Sequence, residues 1–195
     1  MFSNMLRAVL AGAALCAPLA GTLSAQQVQG GDGLWFGAGL GPGVAVVSCS
    51  ICRSDRGTAL TGDLRLGGRL RRGILIGAEA TVWAGGTTAG AHESMWGLGP
   101  VGYFYPRPSG TFYLKAGLGI LSWHSSDGHD VLTADGLGLV AGLGWEFRVA
   151  RRLTLSPYAS LSTASFGGDI KFNGATIQKD GGLMLAQFGL SLTRH

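Results

Sequence analysis

Four stretches of this chain, Gly57–Leu70, Ile74–Trp83, Thr111–Leu121 and Leu183–Thr193, alternate one apolar residue with one small or polar residue. A period of two defines a strand, because successive side chains leave a strand on opposite faces. In Leu60-Thr61-Gly62-Asp63-Leu64-Arg65-Leu66-Gly67, the residues Leu60, Leu64 and Leu66 share one face, and Thr61, Asp63, Arg65 and Gly67 the other. A soluble sandwich alternates too. The fold therefore depends on what precedes these strands, how many follow and what joins them.

The chain opens like an export signal. Arg7 is its only charge before Asp32, and it precedes an apolar run over Ala8–Ala20 and then Leu23-Ser24-Ala25. A positive start, an apolar centre and small residues at a cleavage point define a secretory leader. The run is shorter than the ~20 apolar residues that span a bilayer. Cleavage is expected after Ala25, giving a leader over residues 1–25 and a mature chain over 26–195. Cys16 sits in the apolar run behind Leu15, where a lipid anchor wants a small residue, so it reads as an inert leader cysteine.

Glycine and charge interrupt every later apolar stretch before it reaches helical span length. The chain is nevertheless apolar, with a mean hydropathy of +0.28 and only 13% charged residues. Glycine numbers 35 of 195 residues, far above the usual ~7%. In hydrocarbon every backbone N–H and C=O must be paired within the protein, which only helices and closed barrels achieve. The closed barrel is the reading that remains. Eight strands are predicted: Leu34–Val47, Gly57–Leu70, Ile74–Trp83, Met95–Tyr105, Thr111–Trp123, Val131–Phe147, Leu153–Ser162 and Leu183–Thr193. Three connections are tight (71–73, 107–110 and 150–152) and four are long (48–56, 84–94, 124–130 and 163–182). Short periplasmic turns alternating with long external loops are the arrangement of bacterial barrels.

Side chains sort in the same way. Leu137, Leu139, Ala141, Leu143, Trp145 and Phe147 share one face of the sixth strand, opposite Gly138, Val140, Gly142, Gly144, Glu146 and Arg148. In a membrane barrel the apolar face points to lipid and the polar face fills the lumen. Glycine on the polar face makes room for long charged side chains in an interior that side chains alone fill. Eleven aromatics, Trp35, Phe36, Trp83, Trp96, Tyr103, Phe104, Tyr105, Phe112, Tyr113, Trp123 and Phe147, cluster near strand ends and are expected to form interfacial girdles.

From Leu34 to His195 the chain resembles the small eight-stranded outer-membrane β-barrels of the outer membrane protein A transmembrane domain and opacity-porin type. The likeness rests on the leader, the glycine-alternating strands, the short and long connections and the terminal strand Leu185-Ala186-Gln187-Phe188-Gly189-Leu190-Ser191-Leu192-Thr193. Such proteins usually end on an aromatic that insertion machinery reads; this chain ends Arg194-His195. The resemblance implies an all-β, eight-stranded antiparallel up-and-down transmembrane β-barrel in the bacterial outer membrane. It is expected to be monomeric, with membrane lipids and the insertion machinery as partners and no nucleic acid or cofactor.

Asp63, Arg65, Arg69, Glu79, Lys115, Glu146 and Arg148 fall on the predicted lumen face. Enclosed charges must pair or be hydrated, so these seven are expected to form an ion-pair plug, with Lys115 against Glu79 or Glu146 at its centre. The alternative is a gate whose pairs exchange partners to pass small ions. Cys49 and Cys52 lie in the first external loop of an oxidising compartment, and a disulfide between them is expected. A zinc site would need further ligands, and His92, His124 and His129 belong to other loops. His124 and Ser126 have the spacing of the His-x-Ser pair of lipid A deacylases, with Asp130 or Asp135 as a candidate acid; the surrounding residues do not resemble that family.

Charge is unevenly spread. Arg71, Arg72, Arg107, Arg151, Arg152 and Arg194 gather at the turn end, and Asp55, Glu93, Asp127, Asp130, Asp169 and Asp180 in the external loops. Basic turns suit the phosphates of the inner leaflet, and acidic loops suit divalent cations at the outer surface. The functional expectation is a non-catalytic barrel acting in envelope structure or surface contact. A narrow diffusion pore and a lipid A-modifying enzyme are the alternatives.

Overall fold

The computed structural model describes residues 33–48, 55–88, 91–107, 110–179 and 181–195. The expected leader, and Cys49 and Cys52 with their disulfide, lie outside the described residues.

Eight antiparallel staves form the barrel. They are β1 (Leu34–Ser48), β2 (Asp55–Arg71), β3 (Ile74–Thr88), β4 (Ala91–Phe104) and β5 (Phe112–Ser126), a sixth made of β6 (Val131–Trp145) and β7 (Phe147–Ala150), then β8 (Leu153–Phe172) and β10 (Gly182–Arg194). Each stave pairs with its sequence neighbour, and β10 returns to β1, with Phe36 opposite Arg194 and Ser48 opposite Gly182. Closure pairs the two terminal staves with each other, so neither β1 nor β10 presents an open edge to hydrocarbon.

The staves run longer than the alternation alone predicts. The 15 residues of β5 span about 50 Å at strand rise, which at the ~35–45° tilt of outer-membrane barrels is about 35–40 Å of height against a ~25 Å apolar band. The loops predicted over 84–94 and 124–130 are accordingly shorter, since β3 runs to Thr88, β4 starts at Ala91 and β5 runs to Ser126. The largest correction falls on 163–182, predicted as loop. There β8 continues to Phe172, turns, and pairs with β9 (Ala175–Gln178), Phe172 lying opposite Ala175. Asn173 and Gly174 make the turn, with φ of 46° and 85°. Two positive φ values define the hairpin turn whose twist matches the flanking strands, and Asn-Gly is its preferred sequence. The two segments of the sixth stave meet at Glu146, whose N–H donates to the Thr111 carbonyl at 2.7 Å and so carries the β5–β6 register one residue beyond the Phe112–Trp145 pair.

The two faces separate as the alternation predicts. Leu64, Leu139 and Leu190 are 65%, 59% and 56% exposed on the outside, whereas Asp63, Glu79 and Lys115 are buried within. Every stave contributes exposed large apolar side chains, among them Leu40, Val82, Leu98, Leu118, Leu161 and Phe188. An apolar exterior wrapped around an interior that encloses charged side chains is stable in lipid and not in water.

The aromatic expectation needs correction. Trp35, Trp83, Tyr103, Tyr105, Tyr113 and Trp123 are buried inside the barrel, and only Phe36, Trp96, Phe104, Phe112 and Phe147 of the eleven face outward. Alternation dictates this division, since Trp35 and Phe36, or Phe112 and Tyr113, are successive residues that leave a strand on opposite sides. Trp145 and Phe188 are further outward aromatics.

Candidate functional site

The lumen is stratified. Its loop-end half is apolar: Trp83, Met95, Leu121, Trp123, Ile170, Leu183 and Leu185 pack together. The Trp83 indole sits there because its Nε1–H donates to the Gly43 carbonyl at 3.2 Å, which satisfies the one polar atom of a large apolar ring. The turn-end half holds a second cluster of Trp35, Leu75, Val101, Tyr103, Tyr105 and Tyr113. Its rings meet edge to face or tilted, with centroids of Trp35 and Tyr103 5.2 Å apart, Tyr103 and Tyr113 5.6 Å, and Tyr105 and Tyr113 5.7 Å.

A charged layer accompanies these clusters. Lys115 Nζ donates to Glu79 Oε1 at 2.6 Å and to Oε2 at 2.9 Å, and Tyr103 OH donates to Glu79 Oε2 at 2.9 Å. Arg65 Nε donates to Asp63 Oδ2 at 2.6 Å, and its Cζ stands 5.0 Å from the centroid of the Tyr158 ring. All four charged residues are buried, Lys115 at 5% exposure and Glu79 at 4%. Short charge-assisted contacts of this kind offset the large desolvation cost of enclosed ions. Two glycines supply the room. A Cβ on Gly39 would collide with the Asp63 carboxylate, and one on Gly142 would come within 3.0 Å of Lys115 Cε.

The seven predicted lumen charges do not form one network. Asp63, Arg65, Glu79 and Lys115 make the buried layer. Glu146 is half-buried nearer the turn end, where Tyr105 OH donates to its Oε1 at 2.8 Å and His195 Nε2 lies 3.6 Å away. Arg69 and Arg148 are exposed and line the cavity at that end. Sequence reasoning placed Lys115 against Glu79 or Glu146; the pair that forms is Lys115–Glu79. The tyrosines that hold Glu79 and Glu146 sit at strand ends, where aromatics suggest a girdle, and only their inward parity marks them as lumen residues.

The charges also occupy one sector. They come from β2, β3 and β5, whereas the inward faces of β8 and β10 carry buried hydroxyls and an amide: Thr154, Ser156, Ser160, Ser162, Gln187, Ser191 and Thr193.

His124 is exposed at the outer end of β5, and the half-buried Ser126 accepts a bond from the Gly128 N–H at 3.3 Å. Asp130 Oδ1 accepts from Asn173 Nδ2 at 3.0 Å, and Asp135 is exposed on β6. No hydrogen bond among the described residues joins His124, Ser126 and either acid. Asp127 instead organises the β5–β6 loop, its Oδ1 accepting from the N–H groups of His129 at 2.9 Å and Asp130 at 2.8 Å. Those two bonds hold its carboxyl below the usual value. A lowered carboxyl stabilises the loop above the ordinary value of about 4 and loses that contribution as pH falls through the shifted one. The amide resonances of His129 and Asp130 should therefore move upfield together on acidification below about pH 4. Unchanged resonances there would disprove the tether.

The closed barrel is the fold of the small eight-stranded outer-membrane β-barrels. Neisserial surface protein A superposes with a TM-score of 0.55 at 11% identity, covering 84% of this chain and 99% of that one. Ail, the attachment invasion locus protein of Yersinia pestis, gives 0.49 at 11% identity, covering 82% of this chain and 97% of its own. The outer membrane protein OprG from Pseudomonas aeruginosa gives 0.48 at 12%, with 87% and 100% covered. No protein-family model and no curated protein sequence matches this chain.

Proposed function

We propose that this chain is a non-catalytic outer-membrane barrel with a sealed lumen, acting in envelope structure or surface contact through its loop end. The observation that carries the reading is the stratified interior. Two clusters of apolar and aromatic side chains accompany a layer of paired ions, and together they fill the space that a diffusion pathway would need. The groups suited to acid and base chemistry in that layer are engaged with one another and out of reach of a substrate. The loop end, by contrast, extends beyond the apolar belt and carries the β8–β9 hairpin, and exposed loops on a rigid scaffold are where binding surfaces reside.

Two measurements test the reading. Planar-bilayer recordings of the purified barrel should show no steady channels; large, long-lived wild-type conductance would favour the pore instead. An epitope inserted after Gly174 should be recognised on intact cells, and recognition only after permeabilisation would put the loop end on the wrong side.

A further inference from the structure

The turn end of the barrel opens into a cavity of about 500 Å³, within the roughly 300–1,000 Å³ range of small-molecule sites. Arg69, Arg72, Arg148, Arg151 and Arg152 line it, together with His195 and the carboxylate Glu146. Among the described residues, none of these five arginines makes an ion pair. Glu146 is already engaged by Tyr105 OH and by His195. Five arginines thus line one concavity against a single occupied carboxylate.

We propose that this vestibule binds a phosphate-bearing anion. Like charges gathered in a concavity repel one another, and low-dielectric walls focus their field on any anion that enters. Guanidinium groups match phosphate through two parallel N–H bonds each, which a flat basic rim would not converge on one ligand. The strand pattern sets the direction of approach. Arg69 lies on the alternation that turns Asp63 and Arg65 inward, and Arg148 on the one that turns Gly142 and Gly144 inward. Arg194 has the opposite parity and packs on the outward Phe36 ring, its Cζ 5.9 Å from the centroid. The site is therefore the mouth of the lumen rather than its lipid-facing rim. Tyr105 and Leu75 line its inner wall and belong to the aromatic cluster behind it, so a ligand docks there and is not passed on.

Two sources offer this chemistry: a soluble phosphate and a lipid headgroup. The full chain in phosphatidylcholine nanodiscs, titrated calorimetrically with tripolyphosphate at low salt, tests the first. Saturable one-to-one binding is expected. Arg69→Ala combined with Arg148→Ala should weaken it at least about tenfold, the effect of losing charge-assisted hydrogen bonds. Arg194→Ala should leave it unchanged. Added NaCl should weaken it by screening. Nanodiscs doped with phosphatidic acid test the second source, with native mass spectrometry reading the lipid retained. Retention that needs Arg69 and Arg148 but not Arg194, without tripolyphosphate binding, assigns the headgroup. Both variants remove exposed side chains, and faster gel migration of the unheated barrel verifies that they fold. Absence of both activities, or equal losses in the Arg69/Arg148 and Arg194 variants, overturns the proposal.

Discussion

Lys115→Met should lower the unfolding free energy of the barrel by about 3–5 kcal/mol, the effect of leaving one member of a buried ion pair without its partner. The stranded group is Glu79, which would keep only the Tyr103 hydroxyl among its present side-chain partners. Its other lone pairs would face an aromatic floor and a glycine-lined wall, where an unpaired carboxylate is far costlier than in water. Adding Glu79→Gln to the same chain removes the orphaned charge, so the double variant should recover a large part of the loss. Denaturant titrations of lipid-reconstituted protein provide the comparison. Equal stability for wild type, single and double variants would mean that the pair is hydrated and contributes nothing.

Leu139→Arg should destabilise the barrel by about 2–4 kcal/mol if the residue lies near the bilayer midplane, and by less toward either interface. Leu139 is outward on β6, opposite Leu118 on β5 and Thr163 on β8. The size of the effect thus reports depth as well as face. The same substitution at Val140, one residue along, tests side-chain direction: there the arginine enters the lumen and meets the aromatic cluster that Val140 packs against. A spin label at position 139 that reports water rather than lipid would sink the placement.

The barrel was legible because its determinants are local and repeated. The staves state their two faces through a period of two, and two of the three tight turns announce themselves with Arg-Arg-Gly and Pro-Ser-Gly. What escaped was of two kinds. The Asn173-Gly174 hairpin was present as a strong turn signal but lay between runs too mixed in character to show alternation. The interior aromatics were misread because strand-end position was weighed above parity: Tyr103, Phe104 and Tyr105 cannot all face lipid, and the two tyrosines took the inside, where their hydroxyls meet Glu79 and Glu146. The selection of Glu79 over Glu146 by Lys115 was not legible at all. It depends on stagger between staves, which sets how far along the barrel axis two distant strand positions meet, and a one-dimensional pattern contains no stagger.

The one-sided distribution of charge within the lumen bears on how such a ring is built. Asp63 and Arg65 are two residues apart, and Glu79 and Lys115 belong to strands separated only by β4. Each ion therefore finds its partner within the half of the sheet that precedes β6. At that level the staves that complete the ring contribute hydroxyls, an amide and the Tyr158 ring that caps Arg65, while Glu146 of the sixth stave lies nearer the turn end, 3.6 Å from His195. The buried ion layer is thus neutralised within β2–β5, and the β1–β10 seam at that level is built from uncharged residues. A sheet with this distribution closes on its own first strand with no charged member of the buried layer at the seam, so closure there desolvates no ion.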